Sequence, residues 1–236
     1  MRYFLGVITN FPVLKDGQLV EISLESFRSS SRDLVGLQLW RGAFVLAEYI
    51  LHSEIKGQNV LELAAGTGFT SLVAALSAKN VICTDIDHGN ILPLIRSNFE
   101  YNSKVTKANC QVTELDFFKD DWKIKLAKDI KNTHLVIAAD VIYNEEITRA
   151  FFQTLEYLMD HVTHNLRILI ALEKRLWTDE GGGIVAPSYA VFKQCLEDLQ
   201  SKKSIQVDQK PLNFPHIFSQ FYDRVDNLVL WEINSF

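Results

Sequence analysis

The stretch Asn-Val-Leu-Glu-Leu-Ala-Ala-Gly-Thr-Gly, residues 59–68, constrains the fold more than any other part of the chain. Its first half is a short apolar run, which is typical of a buried strand rather than a helix. Gly66 and Gly68 then predict a tight turn, and Thr67 and Ser71 are candidate caps for the Ala/Leu-rich helix that follows. A strand, a glycine turn and a helix leave backbone N–H groups free at the start of the helix, where a ligand can approach the main chain closely. The pattern therefore predicts ligand binding at this turn.

A second apolar run, residues 81–85, ends in a carboxylate about 17 residues after Gly68. An acidic residue at this distance from a glycine turn typically accepts hydrogen bonds from two ribose hydroxyls, so Asp85 predicts a nucleoside cofactor. The dinucleotide fingerprint requires a third glycine, and residues 69–71 supply none. A nicotinamide reductase is therefore the weakest of the enzyme alternatives.

The composition of the chain limits what it binds. Its 236 residues suit one α/β domain with a full core, and a net charge of −5 argues against a broad nucleic-acid interface. No stretch reaches the apolar length of a membrane span, and three cysteines in unrelated settings indicate reduced thiols. His161 and His164 have no further metal ligand nearby in sequence, so no metal is expected. We expect a monomer in the nucleus, the cytoplasm or both, with no direct nucleic-acid partner and no membrane partner.

The N-terminal segment, residues 1–33, carries the weakest signals. A hairpin turn is predicted at residues 15–18, between two apolar runs. The serine-rich residues 26–32 are predicted to be a flexible connector. These signals divide the chain into this N-terminal segment and a main domain of residues 34–236.

Hydrophobic periodicity predicts the other elements of the main domain. Strands are predicted at residues 110–115, 135–139, 166–172 and 227–233, and helices at residues 44–51, 91–102, 147–159 and 188–199. The charged residues 119–133 are expected to form an exposed connection. Functional groups gather at the carboxyl ends of parallel strands, so Asp140, which follows a fully apolar run, is a candidate site residue. Residues 177–183, with a tryptophan and three glycines, predict a loop over the same edge of the sheet. This loop either contacts the substrate or is a connection without a function.

Several of these motifs together resemble one protein family. Residues 62–68, Glu-Leu-Ala-Ala-Gly-Thr-Gly, resemble motif I of the seven-β-strand methyltransferases, which bind S-adenosylmethionine. Four further segments resemble methyltransferase family 16, the protein-lysine branch of that fold. They are Leu-Trp-Arg-Gly-Ala at 39–43, Asp-Phe at 116–117, Asp-Val-Ile-Tyr at 140–143 and Glu-Lys-Arg at 173–175. The resemblance covers residues 35–235.

The resemblance implies a fold and an activity. The fold is a Rossmann-like α/β architecture, with a seven-stranded methyltransferase sheet, an antiparallel last strand and helices on both faces. The implied cofactor is S-adenosylmethionine, and the implied reaction is N-methylation of a lysine side chain in a protein partner. Enzymes that methylate base amines carry two prolines where this chain has Val141 and Ile142, which disfavours a nucleobase substrate. A small-molecule amine methyltransferase and a catalytically silent S-adenosylmethionine-binding module remain as alternatives.

The resemblance also assigns site residues. Cofactor contacts are implied for Trp40, Glu62, Ala64, Gly66, Thr67, Gly68, Asp85, Ile86, Asp116, Phe117 and Ala139. Catalytic roles are implied for Asp140, Tyr143 and Glu173. Family members commonly have glycine at the place of Ala64, so this chain departs from the motif by one methyl group.

The residues themselves leave several of these roles open. Glu62 is placed to meet the cationic amino acid part of the cofactor, and Trp40 is either a core side chain or a wall of the cofactor cleft. Asp140 is either a helix cap or, with Tyr143, a group that positions the amine, and Glu173 faces either the amine or a surface ion partner. A lysine with a usual pKa of about 10.4 must lose a proton before it attacks. A desolvated channel lowers that pKa, so no dedicated base is required, and loss of the Asp140 side chain is expected to leave the fold intact and reduce turnover.

Overall fold

The structure is a computed structural model that describes residues 6–27, 36–179 and 181–236. Its strands are β1 (Val7–Lys15), β2 (Gln18–Ser26), β3 (Asn59–Leu63), β4 (Asn80–Asp85), β5 (Asn109–Glu114), β6 (Leu135–Ala139), β7 (Arg167–Glu173), β8 (Trp177–Thr178), β9 (Ile184–Val185), β10 (Ile205–Lys210) and β11 (Leu228–Ser235). Its helices are α1 (Arg41–His52), α2 (Phe69–Ala75), α3 (Ile91–Tyr101), α4 (Asp121–Lys125), α5 (Ala127–Lys131), α6 (Glu145–His161) and α7 (Pro187–Lys202). Most of the predicted connector at residues 26–32 lies outside the described residues.

Seven strands form one mixed sheet in the order β10-β11-β7-β6-β3-β4-β5. Strands β5, β4, β3, β6 and β7 pair in parallel, whereas β11 is antiparallel to both β7 and β10. The predicted sheet with an antiparallel last strand is thus confirmed. Chain order reverses at β3, whose neighbours are β4 and β6, and open α/β sheets bind ligands at such a point, outside the carboxyl ends of the strands.

Helices cover both faces of this sheet, as predicted. Helices α1 and α2 and the β1–β2 hairpin pack on one face, where Phe44, Leu72 and Phe11 are buried together. Helices α6 and α7 pack on the other face through side chains that include Phe151 and Phe192. Among the described residues, no helix is long and apolar enough to cross a membrane.

Residues 119–133 differ from the expected exposed connection. They include α4 and α5, and the side chains of Trp122, Leu126 and Ile130 are buried. These three residues recur every four positions, which places them on one side of the helical segment. Trp122 packs edge-to-face on Tyr157 of α6, with ring centres 5.3 Å apart. The prediction was wrong because the many charged residues obscured an apolar stripe of helical period.

The N-terminal hairpin turns at the predicted residues, 15–18, and is fastened to α3. Asn98 of α3 and Asn102, which follows that helix, take the place of a third strand beside β2. Asn102 makes hydrogen bonds with the N–H and the carbonyl oxygen of Ser23, and Asn98 does the same with Glu25. Side-chain amides carry both a donor and an acceptor, so each can satisfy one residue of an open strand edge. The hairpin is thereby held beside the helix that follows β4.

A buried carboxylate fastens the connection between β10 and β11 to α1. Glu48 is buried in α1 and accepts hydrogen bonds from the Tyr222 hydroxyl, the Phe218 N–H and the Arg224 guanidinium. Arg224 also donates to three carbonyl oxygens of the same connection. A buried charge is tolerated when it is paired and its hydrogen bonds are made, as they are here. The network helps to fix α1, whose N-terminal end borders the candidate site.

Candidate active site

The carboxyl ends of β3, β4, β6 and β7 meet where chain order reverses, and we call this region the site edge. The loop of residues 64–68 follows β3, and Asp85 is the last residue of β4. Asp140 follows β6, and Glu173 is the last residue of β7. The structure therefore brings most of the predicted site residues to one edge of the sheet.

The glycine loop, residues 64–68, turns sharply between β3 and α2. Three of its residues, Ala64, Gly66 and Gly68, have φ angles of 52°, 57° and 78°. Glycine adopts this left-handed region readily, whereas a residue with a Cβ adopts it only at a steric cost. A Cβ on Gly66 would lie 2.9 Å from the carbonyl oxygen of Gly36, so a side chain does not fit there. Ala64 adopts the same left-handed conformation although it carries a methyl group. Its backbone is therefore strained at the position where family members commonly have glycine.

Glu62 caps the first turn of α2, in place of the predicted Thr67 and Ser71 side chains. Its carboxylate accepts the N–H of Ser71 at 2.9 Å. Successive side chains of a strand point to opposite faces, and Glu62 lies on the face that α2 covers, where burial raises its pKa to about 8. Thr67 is also buried, and its carbonyl oxygen accepts the amide of Asn98 at 3.0 Å. Both residues thus support the loop from within the fold, whereas they were expected to line its open side.

Asp85 is a buried carboxylate beside the glycine loop. One oxygen accepts the N–H of Gly66 and the other accepts the N–H of Ile86, both at 2.7 Å. Burial raises the pKa of Asp85 to about 6. Each carboxylate oxygen keeps a further lone pair for an incoming hydroxyl, and Ile86 beside it is exposed. This combination of a carboxylate, a close main chain and apolar surface fits a nucleoside.

Asp116 and Phe117 follow β5, and both are half-buried. Asp116 accepts the N–H of Phe118 at 3.0 Å and pairs with Lys119 at 3.3 Å. The ring of Phe117 packs edge-to-face on Phe151 of α6, with ring centres 5.8 Å apart. Packing on Phe151 therefore fixes one side of the Phe117 ring, and the hydrogen bond from the Phe118 N–H holds the Asp116 carboxylate.

Asp140 joins the start of α1 to the end of β7. Its two carboxylate oxygens accept the N–H of Gly42 at 2.6 Å and the N–H of Glu173 at 2.8 Å. Asp140 is also left-handed, with φ of 52°, and burial raises its pKa. The side chain of Asn144 caps α6 by accepting the N–H of Ile147. The alternative that Asp140 caps the helix after it, α6, is therefore wrong, because its carboxylate binds backbone donors of α1 and β7 instead.

Glu173 lies in an ion pair at the end of β7. Its Oε1 is 3.0 Å from Nη1 of Arg41 and accepts the amide of Asn227 at 3.2 Å. Glu173 was expected to face either the amine or a surface ion partner, and this geometry is that of the ion pair. Because the Arg41 guanidinium carries a positive charge, the charge of Glu173 is already compensated within the protein.

Tyr143, Trp40 and Ala139 have surface at the site edge. The side chain of Tyr143 is 48% exposed, and the charge of Asp85 adds to partial burial in raising the pKa of Tyr143. Trp40 directly precedes α1 and is half-buried, with the guanidinium of Arg175 lying 4.7 Å from its ring centre. Ala139 is half-buried at the end of β6. The position of Trp40 is that of a wall residue rather than of a fully buried core side chain.

Sequence reasoning missed Gly42, Arg41 and Asn227. A Cβ on Gly42 would lie 2.5 Å from Oδ2 of Asp140, so only glycine lets that carboxylate reach the start of α1. The available signal was the glycine within Trp-Arg-Gly-Ala at a predicted helix start. Arg41 lies 132 residues before Glu173, and no local pattern connects two residues that far apart.

Comparison with protein-family models decides the family. A model described as lysine methyltransferase matches residues 21–181. The chain belongs to the lysine methyltransferase family. Methyltransferase-like protein 22 from Homo sapiens is 32% identical over 233 residues, which are 90% of this chain and 57% of that protein. Protein-lysine methyltransferase METTL21E from Mus musculus is 32% identical over 149 residues, which are 57% of this chain and 56% of that protein. This family member thus spans less than two thirds of the length of either relative.

Solved structures confirm the fold of this family member. A Streptococcus mutans protein, provisionally described as a SAM-dependent methyltransferase, superposes with a TM-score of 0.59 at 17% identity, covering 95% of this chain and 55% of that chain. A second structure, of a provisionally described methyltransferase complexed with SAH, gives a TM-score of 0.60 at 16% identity, covering 95% of this chain and 56% of that chain. At this identity the likeness establishes the fold alone.

Replacing Ala64 by glycine is expected to stabilise the protein by about 1 kcal/mol, because glycine adopts the left-handed conformation without steric cost. The matched control is Ala74→Gly, in the buried and regular part of α2. That control is expected to destabilise the protein by about 1 kcal/mol or more, through helix propensity and a lost methyl group. Urea unfolding followed by circular dichroism measures both free energies. A destabilising Ala64→Gly substitution would contradict the strain at Ala64.

Replacing Asp140 by alanine is expected to destabilise the fold by about 2–4 kcal/mol, because two part-buried N–H groups lose their acceptor. The result would differ from the intact fold that the motif alone predicts. Asparagine tolerates a left-handed conformation and keeps one acceptor, so Asp140→Asn is expected to be the more stable of the two variants. Urea unfolding compares both with Asp226→Ala, a change at an exposed residue. If Asp140→Ala and the wild type unfold at the same urea concentration, the hydrogen bonds that Asp140 makes with α1 and β7 do not stabilise the fold.

Proposed function

We propose that the chain is an S-adenosylmethionine-dependent methyltransferase that methylates a lysine side chain of a protein substrate. The observation that carries this proposal is a glycine loop bonded to a buried carboxylate, at the point where strand order reverses, in a lysine methyltransferase family member. The mouse relative is named a protein-lysine methyltransferase, which supports a protein as the methyl acceptor.

The glycine loop and Asp85 would hold the cofactor. The Asp85 oxygens have lone pairs for two ribose hydroxyls, and the loop of residues 64–68 lets the cofactor approach the main chain closely. Ile86 and Phe117 would border the base, and Asp116 would accept its amino group. S-adenosylmethionine supplies a methyl group that is activated by a positively charged sulfur.

The target amine must reach the site edge in its neutral form. At pH 7, a lysine with a pKa of about 10.4 loses its proton at a cost of about 4–5 kcal/mol. The Asp140 carboxylate binds two backbone N–H groups and the Glu173 carboxylate pairs with Arg41, so neither is placed as a free base. We therefore assign Asp140 and Glu173 to positioning, while desolvation at the site edge lowers the pKa of the lysine.

Tyr143 is the side chain that we assign to contact with the amine. Its pKa is raised, so the hydroxyl keeps its proton at neutral pH and remains able to donate and accept a hydrogen bond. A lysine held beside Tyr143 and Trp40 would be aligned for attack, and alignment of this kind supplies most of the rate acceleration that a methyl transfer needs.

Binding of S-adenosylhomocysteine is expected to weaken below pH 6. Asp85 accepts both ribose hydroxyls only when it is ionised, and burial raises its pKa to about 6. Affinity should be constant between pH 7 and 8, where Asp85 is charged, and fall by up to about tenfold per pH unit below pH 6. Calorimetric titration from pH 5 to 8 measures this dependence. The control variant Asp85→Asn should bind weakly with a flat pH profile, and full wild-type affinity at pH 5 would remove Asp85 from the cofactor site.

Methyl transfer to a protein lysine is expected for the wild-type chain and not for Asp85→Asn. The purified chain would be incubated with methyl-labelled S-adenosylmethionine and a cell extract, and mass spectrometry would locate the label. A label on a protein lysine, dependent on Asp85 and unaffected by Asp226→Asn, is the expected result. A label only on small amines would favour the small-molecule alternative, and cofactor binding without transfer would favour the silent binding module.

A further inference from the structure

The short hairpin of β8 and β9 exposes a cluster of large apolar side chains. Leu176, Trp177, Ile184 and Val185 are 52%, 65%, 75% and 37% exposed. Trp177 pairs with Val185 across the hairpin, and Thr178 pairs with Ile184, so apolar side chains lie on both of its faces. Contiguous apolar surface that includes tryptophan is characteristic of a site that binds another molecule.

Contacts at both ends hold this hairpin in place. At the tip, Oδ1 of Asp179 accepts the N–H groups of Gly181 and Gly183 at 3.0 and 2.7 Å. At the base, the N–H of Lys174 donates to the carbonyl oxygen of Asn227 at 2.9 Å, and Arg175 lies over the ring of Trp40. A surface that is ordered before binding loses less conformational entropy when a partner binds.

The hairpin stands beside the site edge. Trp177 follows Glu173 by four residues, a span of at most about 14 Å even in a fully extended chain. The N–H of Glu173 is itself bonded to Asp140. An extended peptide whose lysine entered beside Tyr143 would therefore pass the hairpin within a few residues of that lysine.

Charge at this edge favours a cationic partner. Glu145 and Glu146 are exposed and follow Tyr143 closely in the chain. Three cations lie nearby: Arg41 pairs with Glu173, and Lys174 and Arg175 lie over the rings of Tyr189 and Trp40. Asp140, Glu173 and Asp179 add carboxylates to the same edge, so acidic groups outnumber these three cations. Acidic groups at the rim attract and orient a lysine-bearing segment.

We propose that the β8–β9 hairpin docks an apolar side chain within about four residues of the target lysine, in an extended segment of the protein substrate. This inference rests on the proposed function and adds to it a preference for one class of sequence around the methylated lysine. Trp177 and Val185, which pair directly and share one face of the hairpin, provide the docking surface, while the glycine loop and Asp85 remain responsible for the cofactor.

The test compares two acetylated peptides, each with one central lysine, flanked on both sides by leucine and phenylalanine or by serine and glycine. Their dissociation constants are measured by calorimetry with saturating S-adenosylhomocysteine, so no turnover is needed. The wild-type chain is expected to bind the apolar-flanked peptide at least about tenfold more tightly, the effect of one buried hot-spot side chain. Trp177→Ser and Val185→Ser are each expected to reduce this advantage to below about threefold, with unchanged affinity for S-adenosylhomocysteine.

The control is Ile184→Ser, an exposed isoleucine (75%) on the opposite face of the same hairpin, which should retain the full advantage. Equal affinity for the two peptides, no binding of either, or an advantage that survives both Trp177→Ser and Val185→Ser would overturn the proposal. Sedimentation provides a further test of the proposal. If wild-type dimers became monomers in Trp177→Ser, the proposal would be overturned, because a second copy of the chain would then occupy the hairpin surface. A retained peptide preference without methyl transfer to any lysine would instead contradict the proposed function and leave the docking surface in place.

Discussion

Parallel pairing of β3 with both β4 and β6 is the constraint on which the site depends. Because these strands run in one direction, their carboxyl ends lie at the same edge, and the chain leaves that edge on opposite sides of β3. The glycine loop, Asp85 and Asp140 are thereby brought together although other elements separate them in the chain. Strand direction thus creates the site before any ligand contact is made.

Two strained residues show that this edge is held by interactions from several elements. Ala64 and Asp140 are both left-handed without being glycine, and such strain of about 1–3 kcal/mol persists only where the surrounding structure compensates for it. For the loop, the compensation comes from the Gly66 N–H bonded to Asp85. For Asp140, it comes from two backbone donors, one of them on α1, which the network around Glu48 also holds. The result is an edge whose geometry is set in advance of binding, as precise positioning of a substrate requires.

Two buried carboxyl groups, those of Glu62 and Asp85, lie on either side of the glycine loop and differ in their protonation at neutral pH. Burial raises the pKa of Glu62 to about 8 and that of Asp85 to about 6, and the charge of Asp85 further raises the pKa of Glu62. An acid whose pKa is higher in the folded state stabilises the fold below its unfolded pKa, and this contribution is lost as pH rises through the folded pKa. At neutral pH, Glu62 is therefore largely protonated and serves as an uncharged cap for α2. Asp85 is charged at the same pH at some cost to stability, which is consistent with a role in binding hydroxyl groups.

The sequence by itself predicted most of the strands and helices of the main domain and a nucleoside as the class of cofactor, from hydrophobic period and from the spacing between Gly68 and Asp85. Its motifs carried the resemblance to a methyltransferase family. All of these signals are local along the chain. Only the tertiary structure decided which groups these carboxylates bind within the protein. Glu62 is buried because α2 packs over its face of β3, and Asp140 binds Gly42 and Glu173, which lie 98 and 33 residues away. Local periodicity reports whether a residue is buried, whereas the direction of a side chain and its hydrogen-bond partners depend on how separate elements pack together.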